Sequence, residues 1–199
     1  MAEKKQPLRI SVNAPAVLIF ALICLVAQIL NSLTGGASNA AVFSVYRSSL
    51  LNPLTWLRLF THVFGHASWD HLLSNMMLLL ILGPMLEEKY GSVSIVMVMA
   101  ATALVTGVLN MIFFPNVRLL GASGVVFAMI LLSSITSTEE HTIPLTFILV
   151  ALLYFGQQIY QGLFKQDNVS QLAHIAGGIT GSALGFVLNR RQRECTVKS

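Results

Sequence analysis

Five polar side chains in a largely apolar sequence have the types and spacing to carry out acyl chemistry. Ser123 stands in GASG (121–124), between two glycines and ahead of an apolar run. His66, His71 and Asn75 follow one another as H-x4-H-x3-N, and His174 stands in AHIAGG ahead of another apolar run. A serine hydroxyl becomes a nucleophile when a base takes its proton, and histidine is the usual base. Serine hydrolases often add a carboxylate that orients the histidine. Of the acidic residues, only Asp70 and Asp167 are expected near the level of these groups, and both read as loop or boundary positions. A Ser123–His174 dyad is therefore the simplest arrangement. His71 and Asn75, four residues apart, share one helix face and offer N–H groups to a developing oxyanion. The backbone N–H of Ser123, at a helix start, offers another. On this reading Gly121 permits a sharp turn and a close approach to the backbone, and Gly124 leaves room for a neighbour. Phe127 lies one turn deeper on the Ser123 face.

These residues must be held by elements suited to lipid. The chain has 199 residues, 55% hydrophobic and 10% charged, where a soluble domain carries roughly a quarter charged residues. Apolar stretches at 14–33, 69–86, 92–114, 119–137, 143–161 and 172–188 are each about long enough for a span of roughly 20 residues. The first exceeds the roughly 7–15 apolar residues of a signal peptide and reads as a retained span. Lys4, Lys5 and Arg9 at one end, and Arg190, Arg191, Arg193 and Lys198 at the other, put both termini on the cytoplasmic side. An even number of spans follows, in agreement with six. The net charge of +4 sits mostly at these ends, which speaks for membrane orientation and against nucleic-acid binding. Cys24 and Cys195 form neither a disulfide framework nor a metal motif.

With the N-terminus inside, the second, fourth and sixth stretches all run inward. The groups at His71 and Asn75, at Ser123 and at His174 then share one depth below the outer surface, where they can converge. Ala173, Gly177, Gly181 and Gly185 recur every four residues and form a smooth ridge for close helix packing. If that ridge packs on the fourth stretch, His174 comes within reach of Ser123. Taken singly, each residue has a plainer explanation. A lone serine in a span bonds its own helix carbonyls, and glycines often mean only tight packing. A different class is also open. His62 and His66, four apart, with His71 and His174, suit a metal held on a helix. That reading leaves GASG unexplained.

GASG opening a span, H-x4-H-x3-N, and AHIAGG with its glycine ridge, in this order, resemble the rhomboid intramembrane serine proteases over nearly the whole chain. The resemblance implies an all-α membrane protein, a six-transmembrane-helix rhomboid-like bundle over 14–189. The cytoplasmic tails would be 1–13 and a basic 190–199. It implies a serine endopeptidase with Ser123 as nucleophile and His174 as general base. Asn75, His71 and the Ser123 backbone would stabilise the oxyanion, with His66, Gly121 and Phe127 in support. Substrates would be single-span membrane proteins reached from membrane lipid, with no cofactor and no nucleic acid. The expected location is the plasma (inner) membrane of a bacterium. Glu87 and Gly91 in EEKYG match a structural pattern of the family, and Leu163, Phe164 and Lys165 belong to a loop expected to act as a lid. Two positions depart from the family. Phe127 stands where tyrosine is usual, and Trp56 and Arg58 replace an adjacent Trp-Arg pair. The alternatives are a non-cleaving rhomboid-like client-binding protein and a histidine-based metal-binding membrane protein.

Overall fold

The structure is a computed structural model that describes residues 12–136, 142–164 and 171–197. The loop expected to act as a lid and the segment 138–141 fall largely outside these residues. The regular structure of the described residues is helical, with one isolated bridge, Val45 with Leu119, in the segments between helices. In order, α1 spans Pro15–Leu33, α2 Ala37–Ala41 and α3 Pro53–Thr61, followed by a 3-10 turn at His62–Phe64. Then come α4 Trp69–Tyr90, α5 Ser92–Phe113, α6 Ser123–Ser134, α7 Leu145–Phe164 and α8 Gln171–Val197. Four of them, α1, α4, α5 and the part of α8 at Gln171–Arg190, are long and apolar enough to cross a membrane.

Local chemistry accounts for several of these boundaries. Pro15 and Pro53 occupy first helical positions, where their missing N–H costs nothing. Asn52 caps α3 by accepting from Leu54 N at 3.0 Å, and Ser68 caps α4 by accepting from His71 N at 3.1 Å. α1 has no cap of its own. The Glu87 carboxylate, from the end of α4, accepts the orphan N–H groups of Ala16 and Val17 at 2.9 and 3.0 Å. Ser92 Oγ at the start of α5 donates to the same carboxylate at 2.6 Å. One carboxylate thus ties three helix ends together, and Gly91, at φ +80, makes the turn between two of them.

The core is built where α4, α5 and α8 surround α6, with Leu79, Leu86, Ile95, Met129 and Leu132 fully buried. The fourth apolar stretch is shorter as a helix than the sequence predicts. Residues 119–122 are not helical, because Leu119 pairs with Val45 and Gly121 turns the chain. α8 instead runs on through Arg190. The segment before α4 is also firmly held. Arg58, buried, donates through Nε to Ala41 O at 2.8 Å and lies over the Tyr46 ring at 4.6 Å. Arg118 approaches the same ring, at 5.2 Å. Trp56 is 55% exposed and donates only to Leu50 O.

Candidate active site

The site forms at the start of α6. The incoming strand-like segment is fastened before the helix begins. Val45 and Leu119 exchange two backbone hydrogen bonds at 2.9 Å, and Gly121 N donates to His62 O at 2.9 Å. Gly121 has φ +129, and a Cβ there would meet His71 Cε1 at 2.8 Å. Only glycine satisfies both demands. The turn delivers Ser123 to the first position of α6, where its backbone N–H has no intrahelical acceptor.

The small-residue ridge of α8 packs on α6. A Cβ at Gly177 would run into the Gly124 backbone, and one at Gly181 into the Ala128 backbone. Close approach of the two backbones carries His174 across to Ser123. His174 Nε2 and Ser123 Oγ are 2.8 Å apart, although 51 residues separate them. His174 is 9% exposed and Ser123 half-buried. The Phe127 ring lies against His174 with centroids 4.9 Å apart and planes at 55°, a tilted contact rather than a flat stack.

His66 and His71 stand opposite, with ring centroids 5.1 Å apart, edge to face. His66 Nδ1 is 3.1 Å from Phe64 O, and Ala122 N points at Nε2 from 3.4 Å. A single neutral tautomer, with the proton on Nδ1, satisfies both contacts. Burial, and then the neighbouring His71, lower the His66 pKa to about 4 and outweigh the Phe64 hydrogen bond. His71 Nδ1 takes a long contact from Ala67 N at 3.5 Å, which leaves Nε2 to carry the proton beside the Gly121 turn. Asn75 turns one amide N–H back to His71 O at 3.0 Å and keeps a second donor.

The structure separates His62 from this group. α3 ends at Thr61, so His62 and His66 do not share a helical i, i+4 face. His62 Nε2 instead bonds Ala103 O at 3.0 Å, and burial lowers its pKa to about 4. Among the described residues no group of three or more His, Cys, Asp or Glu could hold a metal ion. Sequence reasoning missed Thr102 and Thr106 of α5, whose methyl groups lie near Gly124. It also missed Tyr154 of α7, whose ring is 4.1 Å from Phe127. The one signal for Tyr154 was a hydroxyl in an apolar run.

A helical bundle with four lipid-compatible helices and its polar groups gathered inside defines an integral membrane protein. Residues 53–191 match the family model for the Rhomboid domain, and the chain belongs to the rhomboid family. It is 33% identical over 142 residues to Rhomboid-related protein 1 of Caenorhabditis elegans, covering 66% of this chain and 39% of that protein. It is 31% identical over 187 residues to Rhomboid protease GlpG of Salmonella typhi, covering 90% of this chain and 66% of that protein. Rhomboid-like protein 11, chloroplastic, of Arabidopsis thaliana is 27% identical over 150 residues, 68% of this chain and 53% of the relative. The chain thus spans 39% to 66% of the length of these relatives.

Proposed function

We propose that this chain is an intramembrane serine endopeptidase that hydrolyses peptide bonds in or near transmembrane segments of single-span membrane proteins. The 2.8 Å contact between Ser123 Oγ and His174 Nε2 carries this reading. Ser123 O–H donates to His174 Nε2, which takes the proton as Oγ attacks the scissile carbonyl carbon. The tetrahedral oxyanion receives hydrogen bonds from the Ser123 backbone N–H, His71 Nε2–H and the second Asn75 N–H. His174 returns the proton to the leaving amine, and water then cleaves the acyl-serine by the same route. His66 and Phe127 hold the two sides of the site, and Gly121 sets the turn. No cofactor takes part.

On this reading α6 and α7 cross the membrane together with the four long apolar helices, which makes six crossings. The basic ends put both termini in the cytoplasm. α6, with 12 residues, is about 18 Å long against a hydrocarbon core of about 30 Å. With its C-terminal end at the inner boundary, Ser123 lies about 12 Å below the outer one. Non-helical backbone at that depth is tolerated where protein or a water-filled cavity surrounds it. A substrate helix must unwind to expose its carbonyls, so Gly or Pro near the cleaved bond favours cleavage.

The test is cleavage of a labelled single-span segment by purified protein in detergent. Ser123→Ala and His174→Ala should each lower the rate by at least about a thousandfold, and a chelator should change nothing. Cleavage by Ser123→Ala at the parental rate would refute the serine mechanism. Parent protein that binds segments and cuts none would favour the client-binding alternative.

A further inference from the structure

The floor of the site holds a residue that the proposed chemistry does not use. Phe127 lies one turn below Ser123 on α6, and Gly178 lies one turn below His174 on α8. Tyr154 of α7 reaches both. Its ring centroid is 4.1 Å from that of Phe127, with planes 34° apart. A Cβ at Gly178 would come within 3.1 Å of Tyr154 Cε1. Phe127 in turn stands 4.9 Å from the His174 ring. Tyr154 is 6% exposed, and it is the one buried side chain among those described on α7. Its hydroxyl is buried and has no hydrogen-bond partner among the described residues. The ring, not the hydroxyl, is what holds it.

We propose that Tyr154 is a positioning residue that braces Phe127 beneath His174, so that the imidazole presents Nε2 to Ser123 Oγ and α7 is linked to the dyad. This rests on the Ser–His reading above. Phe127 makes only a tilted contact with His174. A second ring behind it restricts the tilt that Phe127 would otherwise explore, and small errors in placing a base are costly to rate.

The experiment uses the full chain in detergent with two readouts: the rate of Ser123 labelling by a fluorophosphonate probe, and kcat and KM for a single-span substrate. Rates are normalised to the folded fraction. Tyr154→Met, which keeps bulk and loses the ring, should lower labelling and kcat about tenfold with KM within twofold. Tyr154→Phe should match the parent, and so should Leu153→Ala on the exposed side of α7. If Tyr154→Met does not fold, Tyr154→Leu is read in the same way. Parental kcat in the ringless variant, or a change confined to KM, overturns the inference and leaves the dyad standing. Parent protein labelled no faster than Ser123→Ala overturns both.

Discussion

α8 and α7 both touch α6, and they do so in opposite ways. α8 meets it through Gly177 and Gly181, with no room for a Cβ between the backbones. α7 meets it through rings, with Tyr154 its one buried described side chain and Leu145, Leu152 and Leu153 outward. In lipid the outward faces lose nothing by exposure, so burial there is a matter of packing and not of solvent. A backbone-to-backbone seam has one register, whereas a single aromatic contact tolerates tilt. The atoms that the proposed chemistry needs within hydrogen-bond distance, Ser123 Oγ and His174 Nε2, lie across the rigid seam. The adaptable helix stands beside them.

The severest way to break this contrast is Gly177→Val. The new Cβ meets the Gly124 backbone, so α8 must shift and carry His174 with it. Cleavage should fall by at least about a hundredfold, and the unfolding free energy by about 3 kcal/mol. Parental activity in this variant would mean that the seam does not set the dyad.

Acid acts next, through the histidines that fasten the segment leading into α6. His62 and His66, buried at 1% and 0% exposure, are held near pKa 4 where an unfolded histidine titrates near 6.5. Between those values the unfolded chain binds more protons. The stabilisation is therefore complete above about pH 6.5 and is lost as pH falls toward 4, at about 1.4 kcal/mol per unit per histidine. Thermal melts of the parent should decline over that window, and those of His66→Gln should decline less steeply.

Glu87→Gln keeps the shape at the junction of α1, α4 and α5 and removes the charge from its three hydrogen bonds. A loss of about 2 kcal/mol is expected. At temperatures where the variant stays folded, cleavage should proceed at the parental rate, since this junction lies away from the seam. The smallest effect belongs to α7. Leu152→Ala, at a position 66% exposed, should change stability by no more than about 0.5 kcal/mol and leave kcat unchanged. A tenfold loss there would show α7 to be as tightly coupled as α8.

The legible part of the fold was periodic or punctuated. Hydropathy placed α1, α4 and α5 within a few residues, because Pro15, Ser68 and Gly91 mark their ends. The i, i+4 small residues on α8 announced a close helix contact, and the shared depth of the polar motifs made the fourth stretch a candidate to receive it. The start of α6 was less legible. Leu119 looks like part of an apolar run, and only its pairing with Val45, remote in sequence, takes it out of the helix. The reading of His62 and His66 on one helix failed for a similar reason, since α3 ends at Thr61 and His62 bonds Ala103 of α5.

What the sequence determined by itself was composition, period and local turns: lipid-compatible helices, a smooth ridge, and a glycine where φ must be positive. These are properties of neighbouring residues and need no partner. The tertiary structure decided the rest. It brought His174 to Ser123, gave α1 the carboxylate of Glu87 as its cap, and set Tyr154 behind Phe127. Each of these joins groups far apart along the chain, and no local preference encodes which of many apolar faces will meet. Packing selects them: the α6 and α8 backbones touch at Gly177 and Gly181, where no Cβ stands between them.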